Sequence, residues 1–270
     1  MKPAAFDYVR PESKAEVLAL LAESAGDARV LAGGQSLMAL LNMRLVQPQL
    51  VIDISTLDEL NYVRLHRDRL VVGAAVKQSD FMERATLAEE VPLLAQALPW
   101  VGHFQTRNRG TVCGSVAHAD PSAELPLCLA TLDGEVVLES SRGARTVPAC
   151  SFFQGVLTTR RQDDELLTEV RFPLKRGGSL HAFIEVAMRH GDFALLALAA
   201  VSSADGVRLG VGGVADRPAV RTLPRGDGVD AELNEFAWSL DAQDDQHASA
   251  AYRRQLLREL GRKLIEEVSA

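Results

Sequence analysis

Two short glycine-bearing segments constrain this chain more than any other feature. The first, Ala32-Gly33-Gly34-Gln35-Ser36, follows the run Arg29-Val30-Leu31 and precedes Leu37 to Asn42, which has helical composition. The order is strand, glycine turn, helix. Small residues at such a turn let successive backbone N–H groups converge on an anion, and the following helix adds its positive end. The second segment, Gly110-Thr111-Val112-Cys113-Gly114-Ser115, has the same character and follows Arg107 and Arg109. One such loop is compatible with a plain tight turn, whereas two can clamp the two phosphates of a dinucleotide. Gly210-x-Gly212-x-x-Ala215 also matches a dinucleotide fingerprint, but Arg217 and Pro218 stand where its helix would run.

The rest of the chain arranges itself around these loops. Phe6, Tyr8 and Val9 predict a short strand, and Ser13 with Glu16 forms a capping box for a helix over Lys14 to Glu23. Leu50 to Ile54 reads as a strand, and Tyr62 to Leu65 with Arg69 to Ala74 as a hairpin. Gln78 to Trp100 has helical spacing broken at Pro92, and Gly102 to Glu124 reads as one long polar loop. A loop of that length inside a compact domain is usually functional. Strands are predicted at Glu135 to Leu138 and Leu166 to Phe172, followed by a linker, Lys175-Arg176-Gly177-Gly178. Beyond it, Ala182 to Val186, Phe193 to Val201 and Val207 to Val211 predict three strands. The middle one is alanine-rich, and its assignment rests on length and flanking turns. Gly226 to Asp245 carries seven acidic residues and no basic one, the pattern of a solvated face, and Ser249 to Val268 has the spacing of a terminal amphipathic helix.

Composition closes off several function classes. With 270 residues the chain is long enough for one large domain or two, and 29 basic against 36 acidic side chains leave it at -7. That balance argues against nucleic-acid binding and against electrostatic docking on anionic lipid. The three cysteines, Cys113, Cys128 and Cys150, have no C-x-x-C spacing, so no disulfide scaffold or iron–sulfur centre is expected on this chain. His118-x-Asp120 reads as hydrogen-bonded loop structure, and no metal site is expected. A P-loop, a nucleophile elbow and the H-E-x-x-H pattern are all missing. Met1 to Tyr8 lacks the apolar region of a signal peptide, and the run Phe193 to Val201 is about half the ~20 residues of a membrane span. A cytoplasmic location is expected.

Three clusters together resemble the FAD-binding medium subunit of molybdenum hydroxylases, the family that includes carbon monoxide dehydrogenase and xanthine dehydrogenase. They are Ala32 to Leu37; Arg107 to Ser115 with His118-Ala119-Asp120-Pro121-x-x-Glu124; and Glu185-x-x-x-Arg189-x-Gly191-Asp192-Phe193-Ala194. The resemblance covers the whole chain. It implies an α+β fold: a two-lobed FAD-binding domain of PCMH/vanillyl-alcohol oxidase type over 1–175, with lobes of about 1–58 and 59–175. A C-terminal domain over 176–270 would hold a three-stranded antiparallel sheet and helices.

Carried over by position, the resemblance implies that Leu31, Ala32, Gly33, Gly34, Gln35, Ser36 and Leu37 wrap the FAD pyrophosphate. Gly110, Thr111, Val112, Cys113, Gly114 and Ser115 would form the second phosphate loop, with Val101 and Thr106 also at the cofactor. Glu124 would meet the adenosine ribose or its surroundings with Asp120 close by, Leu167 would pack on the adenine or dimethylbenzene side, and Asp192 and Phe193 would approach the isoalloxazine. Two departures stand out. Cys113 fills a place that is usually glycine, which requires a negative φ and sets a thiol at the loop; an inert buried thiol is expected. The first loop has Gln35 and no histidine, so FAD is expected to be bound non-covalently.

By the same resemblance, a large partner subunit would carry the molybdenum cofactor and a small one two [2Fe–2S] clusters, in a dimer of heterotrimers. The FAD here would take electrons from those clusters and pass them to an external acceptor, so no side chain of this chain is named as catalytic. A self-sufficient flavin-dependent oxidoreductase of the same fold is the alternative reading. A third is an assembly or regulatory protein with the fold and no flavin, against which Gly33, Gly34 and Gly114 weigh.

Overall fold

The computed structural model describes residues 2–270, which form three main β-sheets with helices between and outside them. Three strands, β1 (Asp7–Val9), β2 (Ala28–Leu31) and β3 (Leu50–Asp53), make a parallel sheet in the order β1-β3-β2. Parallel strands of one sheet need a crossover, and the helix Lys14–Glu23 supplies the one from β1 to β2, which lie on either side of β3. It starts at Ser13, whose hydroxyl accepts from the Glu16 N–H as the capping box requires, and it buries Val17 and Leu21. Leu31 pairs with Asp53 at the carboxyl ends of β2 and β3, so the first glycine loop leaves the sheet at that edge. In open α/β sheets this is the edge where ligands collect.

The second sheet is antiparallel: β4 (Val63–His66), β5 (Arg69–Gly73), β6 (Glu135–Ser140), β7 (Gly143–Pro148) and, after the small ribbon β8 (Phe153–Gly155) and β9 (Thr158–Thr159), the central β10 (Leu166–Pro173). The order is β4-β5-β10-β6-β7. The hairpin β4/β5 and the strands β6 and β10 are as the sequence predicts. The alternating register of β7 was not apparent, because Gly143-Ala144-Arg145-Thr146-Val147-Pro148 buries only Val147. The predicted helical run Gln78 to Trp100 is divided into Gln78–Met82, Leu87–Glu90, Pro92–Ala97 and the 3₁₀ turn Leu98–Trp100, with Pro92 opening the third piece and Pro99 lying in the last.

The third sheet is antiparallel, as the resemblance implies, but has four strands and not three: β11 (His181–Ala187), β12 (Ala194–Ser203), β13 (Gly206–Gly212) and β14 (Ala219–Leu223). The added strand, β14, pairs with β13 from Val207 opposite Leu223 to Val211 opposite Ala219. Pro218, just outside it, ends the turn that follows Gly210-x-Gly212, so the fingerprint-like segment joins strand to strand. Helix propensity loses in the alanine-rich β12 because both of its edges are paired and both of its faces covered. Ala197 and Ala199 face the helices Pro92–Ala97 and Glu124–Thr131 and join the main core, whereas Leu196, Leu198 and Ala200 face the helices Val229–Ser239 and Ala250–Glu267. Small residues are required on the first face: a Cβ at Gly210 would lie 1.9 Å from Thr131 Oγ1.

The acidic segment is a solvated face as expected, with Asp230, Glu232 and Glu235 on the exterior of Val229–Ser239 near Arg221 and Arg262. Among the described residues no helix is long and apolar enough to cross a membrane.

Candidate functional site

The two glycine loops, distant in sequence, are in contact. A Cβ on Gly33 would stand 2.2 Å from the Arg109 carbonyl oxygen and 2.6 Å from Gly110 Cα. Only hydrogen fits there, so the first loop lies directly on the second. Gly34 adopts φ +73°, the left-handed region that other residues avoid. Leu37 to Asn42 then forms a helix, with Ser36 at its N-cap. Among the described residues, the N–H groups of Gly33, Gly34, Gln35 and Ser36 have no backbone acceptor, so four unpaired donors stand on one short stretch.

The second loop is not loose, and this corrects the expectation of one long polar loop. Gly102 to Glu124 contains the helical turn Phe104–Arg107, the helix Val112–His118 and the start of the helix Glu124–Thr131. Thr111 caps the middle one, its hydroxyl accepting from the Gly114 N–H at 3.0 Å. Gly110 donates to the Thr106 carbonyl at 2.7 Å, and the Val112 N–H reaches Val76 O. Gln78 gave no signal in the sequence, yet it props the loop: its N–H donates to Gly110 O at 2.8 Å and its buried amide to Thr111 O at 3.4 Å.

Cys113 takes helical dihedrals without strain, and the thiol turns inward. Its Sγ donates to Val72 O at 3.4 Å, and burial pushes it well above the usual thiol range. A thiolate is therefore inaccessible at this place. Cys128 is buried and pushed up likewise, whereas Cys150 is exposed. Treatment of the folded chain with an alkylating reagent is expected to label Cys150 alone, with Cys113 and Cys128 reacting only after denaturation. Mass spectrometry of the labelled peptides checks this, and rapid native labelling at Cys113 would contradict it.

Beyond the loops the chain forms a second surface. Arg107 donates to the Val101 and Gly102 carbonyls at 2.8 and 2.9 Å, fixing the turn that carries Thr106. The hairpin tip between β11 and β12 docks on this turn: a Cβ on Gly191 would meet the His103 ring at 2.7 Å, and Trp100 and His190 lie 4.9 Å apart. A cavity of about 440 Å³ opens between them, lined by Gly102, His103, Phe104, Gln105, Arg107 and His190. Asp192 at the tip pairs with Arg189 at 3.0 Å, and Phe193 is 75% exposed. The tip thus belongs with Val101 and Thr106, and through Thr106 with the second loop.

Asp120 turns the chain after Val112–His118 by accepting from the Ser122 N–H at 2.8 Å. Glu124 opens the next helix and is only 7% exposed. Burial raises its carboxyl to about 7, with Asp120 pushing the same way and Arg107 opposing. Leu167 is buried in β10 opposite Leu138, as part of the main core under the helix Val112–His118. Gln78 and His103 are residues of this region that were not among the sequence candidates, and Arg107, quoted with the second loop, had no place at the cofactor assigned to it.

Comparison with known proteins agrees with this geometry. Residues 4–175 match the family described as "FAD binding domain in molybdopterin dehydrogenase". The chain is 43% identical to the caffeine dehydrogenase subunit beta of Pseudomonas sp. (strain CBB1) over 206 residues, 76% of this chain and 70% of that one. It is 35% identical to the nicotine 6-hydroxylase medium subunit of Paenarthrobacter nicotinovorans over 100% of this chain and 99% of that protein. Among solved structures, one chain of the carbon monoxide dehydrogenase from Hydrogenophaga pseudoflava that lacks the Mo-pyranopterin moiety superposes with a TM-score of 0.92 at 29% identity. That match covers 99% of this chain and 98% of the other.

Proposed function

The chain belongs to the family of FAD-binding domains of molybdopterin dehydrogenases, and from that premise we propose that it is the FAD-carrying electron-transfer subunit of a molybdenum-containing hydroxylase. The observation that carries the reading is the contact of Gly33 with Arg109 and Gly110, which makes one anion cradle of two loops. The residues fit the cofactor: four unpaired N–H donors suit a pyrophosphate, and the backbone approach leaves no room for side chains.

In this reading the chain has two units, 1–175 of PCMH type with lobes of about 1–58 and 59–175, and 176–270. Residues Leu31 to Leu37 and Gly110 to Ser115 hold the pyrophosphate, with Gln78 and Thr111 keeping the second loop in shape. Asp120 and Glu124 stand by the sugar, Leu167 packs beneath the ring side, and Val101, Thr106, Asp192 and Phe193 border the isoalloxazine. FAD, when bound, supplies the electron chemistry, and the chain supplies position, polarity and exclusion of water. The molybdenum cofactor and two [2Fe–2S] clusters reside on a large and a small partner subunit, in a cytoplasmic dimer of heterotrimers.

The test is to express the chain alone. It should bind FAD stoichiometrically, release it to the supernatant on acid precipitation because no histidine is available in the first loop for covalent attachment, and oxidise no organic substrate by itself. Flavin fluorescence retained in the acid pellet contradicts the non-covalent part. Steady turnover of an organic substrate without partners favours the self-sufficient oxidoreductase.

A further inference from the structure

The cavity of about 440 Å³ between the turn that carries Thr106 and the β11/β12 hairpin tip has a chemistry of its own. His103, Gln105, Arg107 and His190 bring polar groups to it, Phe104 brings a ring that is 63% exposed, and no carboxylate lines it. On a chain of net charge -7 that lining is a local exception. Among the described residues, the side chains of His103, Gln105 and His190 make no hydrogen bond. Arg107 commits only Nη1, to the Val101 and Gly102 carbonyls, so its Nε and Nη2 have no acceptor. It forms no ion pair either: Glu124, which feels its charge, is buried and lies outside the lining. Asp192, the one carboxylate on the tip, is already paired with Arg189 at 3.0 Å.

A guanidinium with free N–H groups, two imidazoles and an amide around an aromatic face suit a flat molecule that carries an acid group. Cavities of some hundreds of Å³ hold ligands the size of a few fused rings. The place is also defined by its neighbours in the chain. Gly102 to Gln105 lies between Val101 and Thr106, and His190 stands just before Gly191, Asp192 and Phe193. We propose that this cavity is where the external electron acceptor docks, and that the acceptor is a planar quinoid molecule bearing a sulfonate, carboxylate or phosphate group. This rests on the FAD reading above, in which Val101, Thr106, Asp192 and Phe193 border the isoalloxazine, and deepens it by naming the acceptor class. Such an acceptor gains two electrons from the reduced flavin and, through water, the two protons released by the same oxidation, and its two carbonyls become hydroxyls. An uncharged quinone meets the same ring face but gains nothing from the guanidinium.

The test uses the full chain, with and without FAD, as wild type, Gln105→Glu and His190→Glu. Both side chains are exposed, and each substitution sets a carboxylate in the lining. The probes are anthraquinone sulfonate and the uncharged hydroxymethyl anthraquinone, which share a ring system. Binding is read from the quenching of Trp100, whose ring lies 4.9 Å from His190, with Trp100→Phe as the control of place. The sulfonate should bind the wild type in both forms and lose about tenfold in affinity in each variant, whereas the uncharged probe should stay within about twofold. Reoxidation of the reduced, FAD-loaded chain, followed by stopped-flow absorbance, should slow in parallel for the sulfonate alone. Equal losses for the two probes, or unchanged sulfonate binding in both variants, overturn the proposal. Sulfonate binding that disappears once FAD is loaded overturns it too, because the flavin then fills the cavity, as does charge-sensitive binding with unaltered reoxidation. A chain that takes up no FAD yet binds the sulfonate in the charge-sensitive way overturns the cofactor reading and the acceptor role with it, and the cavity stands as an anion site. Should one variant fail to fold, the other decides.

Discussion

Replacing Gly33 by alanine is expected to leave a folded chain without its cofactor. The added Cβ would lie 2.2 Å from Arg109 O, 2.6 Å from Gly110 Cα and 2.8 Å from the Arg109 carbonyl carbon. All three are backbone atoms, so no rotamer change relieves the overlap and the loops must part. The second loop is tied from behind by Gln78 and Thr106, so the movement falls on Ala32 to Ser36 and the unpaired N–H groups of Gly33 to Ser36 lose their place beside the second loop. Separating the halves of an anion site removes several hydrogen bonds at once, and FAD affinity should fall by about a hundredfold or more, roughly 3 kcal/mol. Flavin absorbance per chain after gel filtration measures it. Gly34→Ala is the informative companion. Its nearest neighbours are the side-chain tips of Leu31 and Met38 at 3.2 and 3.4 Å, so its main burden is the left-handed φ, about 1–2 kcal/mol. It should keep more flavin than Gly33→Ala. Stoichiometric FAD in Gly33→Ala would mean that contact between the loops is not what binds the cofactor.

How much of this was legible beforehand follows from the range of each interaction. The glycine loops, the capping box at Ser13, the β4/β5 hairpin and the antiparallel third sheet are encoded within a few neighbouring residues. The contact between Gly33 and Arg109 is not: each loop advertises backbone freedom, but only the folded chain brings them together. The segment Gly102 to Glu124 was misjudged because its helices are short and held by tertiary bonds such as Gln78 to Gly110, not by apolar periodicity. β14 was missed because Ala219-Val220-Arg221-Thr222-Leu223 fully buries only Leu223.

The second large effect lies at the far side of the third sheet. Arg253, on the terminal helix Ala250–Glu267, is 5% exposed and donates to the Leu195 carbonyl at 2.8 Å and the Gly213 carbonyl at 2.6 Å, while Asp245 receives its other nitrogen at 2.5 Å. Arg253→Met keeps much of the volume and the helix propensity but leaves the buried Leu195 carbonyl and the part-buried Gly213 carbonyl without this donor, at about 1–3 kcal/mol for the buried one and less for the other. A loss of roughly 3 kcal/mol in unfolding free energy is expected, measured by urea denaturation. Asp245→Asn should lose far less, because that carboxylate is half exposed and also accepts from the His247 and Ala248 N–H groups. The damage should also travel. The Gly213 N–H donates to Pro121 O at 2.8 Å, between Asp120 and Glu124, so the terminal helix steadies the segment that opens the helix beside the second glycine loop. Arg253→Met should therefore retain FAD less well even where it is fully folded. Stability within about 1 kcal/mol of wild type would show that the backbone at Leu195 and Gly213 finds other donors.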